Sequence, residues 1–476
     1  MPNSTPFLDA RTLRWLPWVV AIAFFMQSLD GTILNTALPA MARSLAEDPL
    51  RMQSVVIAYM LTVALLIPAS GWIADRFGIK RIFFGAILLF SLGSLLCALS
   101  SSLSMLVAAR VVQGLGGALM VPIGRLIVLR AYPRSELVRI MSFITVPGLL
   151  GPLLGPTLGG WIVEYLSWHW IFLINLPVGL LGCYAVKTLV PDLQGGGRTR
   201  FDGVGFALFG ASMVLITIAL EGLGELHLPH MRVVLLLFGG MACLAAYWLR
   251  AGNIDYPLFA PALFRTRSFA VGIFGNLFSR LGSGALPFLV PLLLQVALGY
   301  SPSKAGMSMI PLAIAAMLTK PVARPLIERL GYRVVLTGNT FLLGALLASL
   351  ALVDAQTQYW VLLVHLGLMG AVNSLQFTAM NAVTLIDLDD ASAASGNSLL
   401  SVVAQLSLSL GVACAAALLG GFTDDVTSGE VSSLLGAFQM TFLSVGVLSM
   451  LAAGIFLQLP PKGSQGVPRP EPEIEH

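Results

Sequence analysis

The sequence predicts an all-α polytopic membrane protein with fourteen transmembrane helices, built as two six-helix bundles plus an inserted helix pair. Three observations predict it. Only 11% of the 476 residues are charged and 57% are apolar, against roughly 25% charged in an ordinary soluble domain, which excludes a soluble globular enzyme. Apolar windows of about 20 residues, the length that crosses a bilayer, recur fourteen times. Motifs of the first half also return in the second at a constant offset of 253 residues, the mark of an internal duplication.

The windows fall at 15–39, 53–74, 82–100, 104–128, 138–163, 168–190, 204–222, 232–250, 269–298, 303–325, 334–354, 358–383, 392–420 and 434–459. With 48 Gly and 27 Pro in so apolar a chain, closely packed and kinked helices are expected, because neighbouring helices satisfy the backbone groups that Pro frees. No short apolar region with a small-residue cleavage site opens the chain, so the first window reads as an uncleaved span. An even number of spans puts both termini on one side. The alternating loops leave Arg43, Arg51, Arg232 and Lys304 on the other side and nineteen of the 27 Lys and Arg with the termini. The positive-inside rule therefore makes both termini cytoplasmic in a cell inner membrane. A net charge of +4 spread over many short loops gives no footprint for nucleic acid. Cys97, Cys183, Cys243 and Cys414 lie inside apolar windows and read as small hydrophobes, with no disulfide, metal or cofactor implied.

The first span contains an acid, Asp30. A carboxylate at membrane depth costs several kcal/mol, so it faces the bundle interior and pairs or carries protons. Counted at 1.5 Å per residue, it lies about 13 Å from the outer end of its span, and Arg110 lies about 9 Å from the outer end of the antiparallel fourth. The two depths agree within about a turn. A neighbouring cation favours the ionised form of a carboxylate and burial disfavours it, so relative movement of the pair would bind or release a proton. The alternative is a permanent ion pair bracing two helices. Gln113, three residues past Arg110, shares its face.

After the second span, Asp75-Arg76-Phe77-Gly78-Ile79-Lys80 matches Glu328-Arg329-Leu330-Gly331-Tyr332-Arg333 after the tenth. Gly114-Leu115-Gly116-Gly117-Ala118 matches Gly367-Leu368-Met369-Gly370-Ala371, and Pro68 falls on Pro321, all at the same offset. The duplication divides the chain into an amino-terminal bundle (1–190), an inserted pair (191–267), a carboxy-terminal bundle (268–459) and a polar, Pro-rich tail (460–476) that reads as disordered. Parallel repeats of this kind place a substrate site at their interface near the midplane. In the fifth span Gly148, Gly151, Gly155 and Gly159 recur every three or four residues, a smooth stripe for close helix packing. The equivalent stretch of the thirteenth span, Ser395 to Ser401, has no such run. Asp387, Asp389 and Asp390 precede that span as either a partner for the basic loop across a gate or a helix cap.

Four of these segments resemble the fourteen-span drug:proton antiporter branch of the major facilitator superfamily. The loop Gly71 to Arg81, with Asp75, Arg76, Gly78 and Lys80, is similar to the superfamily's cytoplasmic loop signature; Leu29-Asp30 to Pro39 resembles the branch's first-helix signature and Arg110 to Gly117 its fourth. Pro147-Gly148-Leu149-Leu150-Gly151-Pro152-Leu153-Leu154-Gly155-Pro156-Thr157-Leu158-Gly159-Gly160 resembles the fifth-helix export motif. Trp168-His169-Trp170 departs from the pattern, with His169 where Arg is expected. The resemblance covers nearly the whole chain. It implies proton-coupled export of small amphipathic compounds (multidrug efflux, hence antibiotic resistance) by alternating access. Asp30 and Arg110 would be the coupling pair, the Gly71–Arg81 and Glu328–Arg333 loops the cytoplasmic gate, and the fifth-helix Gly-Pro run a seal against proton leak. Asp75 would meet the amino-terminal end of a facing helix when the gate closes.

Two further cations lie inside spans, Arg280 at mid-depth in the ninth and Lys320 near the cytoplasmic end of the tenth, where it reaches the interface by snorkelling. Gln27, Asp30, Gln113, Arg280, Phe274 and Phe278 are the expected cavity residues. One acid among two or three cations suits neutral, zwitterionic or anionic amphiphiles better than multiply charged cations. The partners expected are such a compound, protons and the lipid bilayer, with the chain acting as a monomer. A metabolite or lipid exporter of the same fold is the alternative within transport. A membrane enzyme lacks His-Glu-x-x-His, Gly-x-Ser-x-Gly and phosphate-loop motifs to work with, and a non-transporting sensor has no use for a buried acid and a gate motif in each half.

Overall fold

A computed structural model describes residues 10–192, 200–224, 230–424 and 431–462. Among them are fourteen helices long and apolar enough to cross a membrane. Spans 1 to 6 are Thr12–Thr36, Pro49–Phe77, Ile79–Ala98, Leu103–Ala131, Ser135–Tyr165 and Trp170–Leu189. Spans 7 and 8 are Gly203–Gly222 and Met231–Ala251. Spans 9 to 14 are Arg267–Ala297, Pro302–Leu330, Tyr332–Leu352, Tyr359–Leu385, Ser395–Thr423 and Leu434–Phe456. The tail beyond residue 462 lies outside the described residues.

The duplicated loop motif has a duplicated backbone. Span 2 ends at Gly78 (φ 91°) and span 10 at Gly331 (φ 80°), and a new helix starts at the next residue in each case. A positive φ is strained for any residue with a Cβ, which is why Gly recurs at both turns. Helices of one half meet through small residues: a Cβ on Gly116 would reach the Phe90 backbone, and one on Gly344 the backbone of Met450 and Gly446. Spans 1 and 5, and 3 and 4, form the tightest pairs of the first half; spans 9 and 13, 10 and 12, and 11 and 14 those of the second. The inserted spans 7 and 8 pack on each other, and span 7 packs against span 13.

The core shows which end of the molecule is closed. At the end away from the Arg-rich loops, one apolar cluster runs across both halves, from Leu29, Leu38, Val55 and Ala109 to Phe288, Leu347, Leu366 and Phe438. At the basic end the halves have separate cores, one around Phe83, Ile123 and Val186, the other around Ile327, Leu336 and Val383. The halves are thus joined across one end, while toward the other their cores separate and contact continues through span 2, whose Ala64 and Ile67 pack with Leu399 and Val402 of span 13.

Candidate transport site

Asp30 sits on span 1 with 1% of its surface exposed, and its carboxylate accepts three hydrogen bonds. Arg110 Nη1 donates to Oδ2 at 2.7 Å, Gln113 Nε2 to Oδ1 at 2.8 Å and Asn175 Nδ2 to Oδ1 at 3.2 Å. Arg110 is equally buried; it also donates to Val55 O and Gln113 Oε1, and its guanidinium lies 4.3 Å from the centre of the Tyr59 ring. Ser94 takes hydrogen bonds from Asn175 (3.0 Å) and Gln113 (3.4 Å) and donates to Phe172 O. Five spans are tied through one acid. Breaking a buried, hydrogen-bonded ion pair by removing one partner costs about 3–5 kcal/mol, so loss of either Asp30 or Arg110 would strain the whole network.

A cavity of about 450 Å³ separates the halves and opens toward the basic end. Gln27 of span 1 is at its inner limit, Gly71 and Leu129 lie near its mouth, and span 13 contributes Asn397, Ser398, Ser401 and Gln405. Of the residues expected to line it, Gln27 alone does so. Asp30 and Gln113 are sealed one turn beyond Gln27, because their mutual hydrogen bonds exclude the cavity. Arg280 is folded into the second half, its Nε donating to Asn276 Oδ1 at 2.8 Å and its guanidinium 4.4 Å from the Phe377 ring, while Nη2 has no partner. Phe274 and Phe278 are on another surface altogether. They border an apolar groove of about 590 Å³ where span 9 meets the inserted pair and span 13. Span 9 carries Asn276, Ser279, Arg280 and Ser283 on one face, and Phe274 and Phe278 fall on the opposite one. Gln27 Oε1 and Tyr59 Oη are buried without a partner between the cavity and the Asp30 network.

The far end is closed by spans 5 and 10. A Cβ on Gly160 would meet the Pro302 carbonyl and one on Gly306 the Pro156 carbonyl, while Glu164 accepts from Ser303 N at 2.9 Å and Gln295 donates to Thr36 O at 2.9 Å. The glycine stripe of span 5 divides in two. Gly151, Gly155 and Gly159 press on the Ser28–Thr36 stretch of span 1, Gly160 presses on span 10, and Gly148 has only Phe24 near it. Pro152 has no N–H to offer the Gly148 carbonyl, and Ser28 Oγ donates to that carbonyl instead, at 2.5 Å. Thr32 and Thr36, one and two turns along, donate to the carbonyls of Gly151 and Pro156.

At the basic end Asp75 pairs with Arg130 of span 4 at 2.9 Å. Gly71 borders the cavity, Arg76 and Arg81 are exposed and Lys80 is half-buried. In the second half Glu328 pairs with Arg324, Arg329 O accepts from Lys462 Nζ, and Arg333 is half-buried. Asp389 accepts from Ser392 N at 2.9 Å, a helix cap. Sequence reasoning missed Asn175, Ser94 and Tyr59, which carry no charge, and Arg125, an exposed cation on the cavity wall.

A family model described as Major Facilitator Superfamily matches residues 20–247 and 272–475. The chain belongs to the Major Facilitator Superfamily. It is a multi-pass membrane transporter of that superfamily rather than an enzyme. Proteins that carry the name multidrug resistance protein MdtD are similar over almost their whole length. That of Pectobacterium atrosepticum is 48% identical over 452 residues, covering 94% of this chain and 96% of its own, and that of Escherichia coli O157:H7 is 48% identical over 469 residues, covering 98% and 97%. Among solved structures, a bacterial homologue of the human lysosomal transporter Spinster, inward-facing and unoccupied, superposes with a TM-score of 0.68 at 15% identity over 94% of this chain and 97% of that one. At that identity the likeness speaks for the fold alone.

Proposed function

We propose that this transporter is a proton-coupled antiporter that exports small amphipathic compounds, acting as a monomer in the cell inner membrane with both termini cytoplasmic. The observation that carries the reading is the Asp30–Arg110–Gln113–Asn175 network, enclosed one turn beyond a cavity that reaches Gly71 and Leu129 at the basic end. In this state the cargo side faces the cytoplasm and the outer end is closed by spans 5 and 10. Residues 1–190 and 268–459 would turn against each other about the cargo, opening the outer end and bringing the Gly71–Arg81 and Glu328–Arg333 loops together as the gate. Asp75 would then exchange Arg130 for a partner across the gate.

Coupling follows from charge. An ionised Asp30 keeps Arg110 and spans 1, 2, 3, 4 and 6 in one arrangement; protonation removes the attraction that holds Arg110 and lets the spans reset. The Gly-Pro run of span 5, with its carbonyls capped by Ser28, Thr32 and Thr36, would keep the seam beside Asp30 dry so that protons cross only with turnover. The names of the MdtD relatives support small-molecule export, and the basic loops support the orientation.

Everted vesicles energised by respiration test it, with rhodamine 6G and 5-carboxyfluorescein as fluorescent cargo. Wild-type protein should accumulate at least one dye in a manner abolished by nigericin, and Asp30→Asn should lose that uptake while remaining in the membrane. Uptake by Asp30→Asn that stays as sensitive to the proton gradient as wild type removes the mechanism.

A further inference from the structure

The charges around the cavity do not balance. Arg125 is the one charged side chain on its wall among the described residues. It is exposed, its nearest aromatic neighbour is Phe24 at 6.0 Å, and no carboxylate stands within ion-pair distance of it among the described residues. Asp30 offers no compensation, since Arg110, Gln113 and Asn175 already occupy both of its oxygens. Across the cavity, span 13 presents Asn397, Ser398, Ser401 and Gln405, which add donors and no negative charge. Deeper in the second half Arg280 is a further cation, 8% exposed, with Nη2 unpartnered. Apolar side chains such as Val63, Ile67 and Leu126 complete the wall.

Such a cavity repels cations and leaves a guanidinium fork without its best partner, a planar anion that accepts two N–H bonds at once. A drug-sized cavity that is mostly apolar with a few placed polar groups selects by those groups. We propose that the cavity takes anionic amphiphiles, a carboxylate or sulfonate on an apolar body, and that Arg125 is the counter-ion that selects them, with the amides and hydroxyls of span 13 holding the far side. This rests on the export reading and names its cargo class. Arg125 lies four turns from Arg110 on the same helix, about 22 Å along it, so cargo selection and proton coupling occupy opposite parts of span 4.

Binding to the purified full-length protein tests the cargo class without requiring turnover. 5-Carboxyfluorescein and rhodamine 6G share a xanthene body and carry opposite charge. By fluorescence anisotropy, wild type should bind carboxyfluorescein saturably and more tightly than rhodamine 6G. Arg125→Gln should weaken carboxyfluorescein about tenfold or more, the scale of a lost charge-assisted contact, Arg125→Lys should recover part of it, and Arg125→Glu should reverse the preference. Monodispersity and melting temperature of each variant show that it is folded. Tighter binding of rhodamine 6G by wild type, an equal loss for both dyes in Arg125→Gln, or no saturable carboxyfluorescein binding by folded protein overturns the proposal. If carboxyfluorescein binds as stated and vesicles show no proton-driven movement of either dye, the export reading fails and the anion site stands. Proton-driven movement of rhodamine 6G alone, without carboxyfluorescein binding, has the reverse meaning.

Discussion

Gly160 and Pro302 touch backbone to backbone: a Cβ on Gly160 would lie 2.8 Å from the Pro302 carbonyl carbon. Gly306 faces Pro156 in the same way from the other helix, so spans 5 and 10 close one end of the transporter with four residues that have nothing to spare. An added methyl here does not enter a loose core. It forces the helices apart, at a cost of about 1–3 kcal/mol by the measure of overpacked interiors, and that cost falls only on the state in which this end is shut.

Gly160→Ala and Gly306→Ala should therefore shift the protein toward the outward-open state while leaving each bundle intact. A cysteine placed at Thr157, whose hydroxyl donates to Gly306 O in the closed end, should react several-fold faster with a membrane-impermeant maleimide added from outside in either alanine variant. Unchanged labelling would mean that the contact does not govern closure.

The Asp30 network predicts a graded loss. Asn175→Ala removes one of three donors to the carboxylate and one of two donors to Ser94 at once, and a buried acceptor left short of a donor costs about 1–3 kcal/mol. The variant should melt several degrees lower and retain less than half of the wild-type exchange rate, whereas Ser94→Ala, which leaves Asp30 with all its donors, should be the milder of the two. A harsher effect from Ser94→Ala would place the strain outside the acid.

How much of this was legible in the chain depends on the kind of signal each residue leaves. Fourteen apolar windows and a repeated loop motif read out the architecture because a bilayer permits few alternatives. Asp30 and Arg110 stand out as charges at matched depth, and the structure places them 2.7 Å apart. Asn175, Ser94 and Tyr59 complete the same network and leave no trace in the sequence, since an uncharged polar residue within a span is as often satisfied by its own backbone as by a neighbour. Arg125 falls three residues from the end of its apolar window, where a cation is indistinguishable from one that snorkels. Phe274 and Phe278 show a different failure: Asn276, Ser279, Arg280 and Ser283 mark one face of span 9 as polar, and the aromatic pair on the opposite face borders the inserted spans.

Asp389 begins span 13 as a cap. The Ser392 side chain and N–H hold its carboxyl below the usual carboxylate range. A carboxyl depressed in this way contributes above its unfolded value of about 3.9 and is lost only as pH falls through the lower folded value, so the cap is complete at neutral pH. Asp389→Ala should speed amide exchange at Ser392 and Ala393 equally at pH 6 and pH 8. A pH-dependent effect in that interval would point instead to a partner across the gate.

Arg280 sets stability against function. Its Nη2 is buried without a partner, and its remaining contacts are one hydrogen bond to Asn276 and the face of Phe377. A buried charge so poorly satisfied is a cost to the folded protein, and an apolar side chain of similar length removes it. Arg280→Met should then raise the melting temperature of the purified protein by a few degrees, in line with about 1–3 kcal/mol for an unsatisfied buried donor. If the cation is kept for the transported anion, the same variant should raise the KM for carboxyfluorescein several-fold in everted vesicles and leave Asp30-dependent proton release unchanged. A variant that is less stable than wild type, with KM unaltered, would make Arg280 a structural brace between spans 9 and 12 and nothing more.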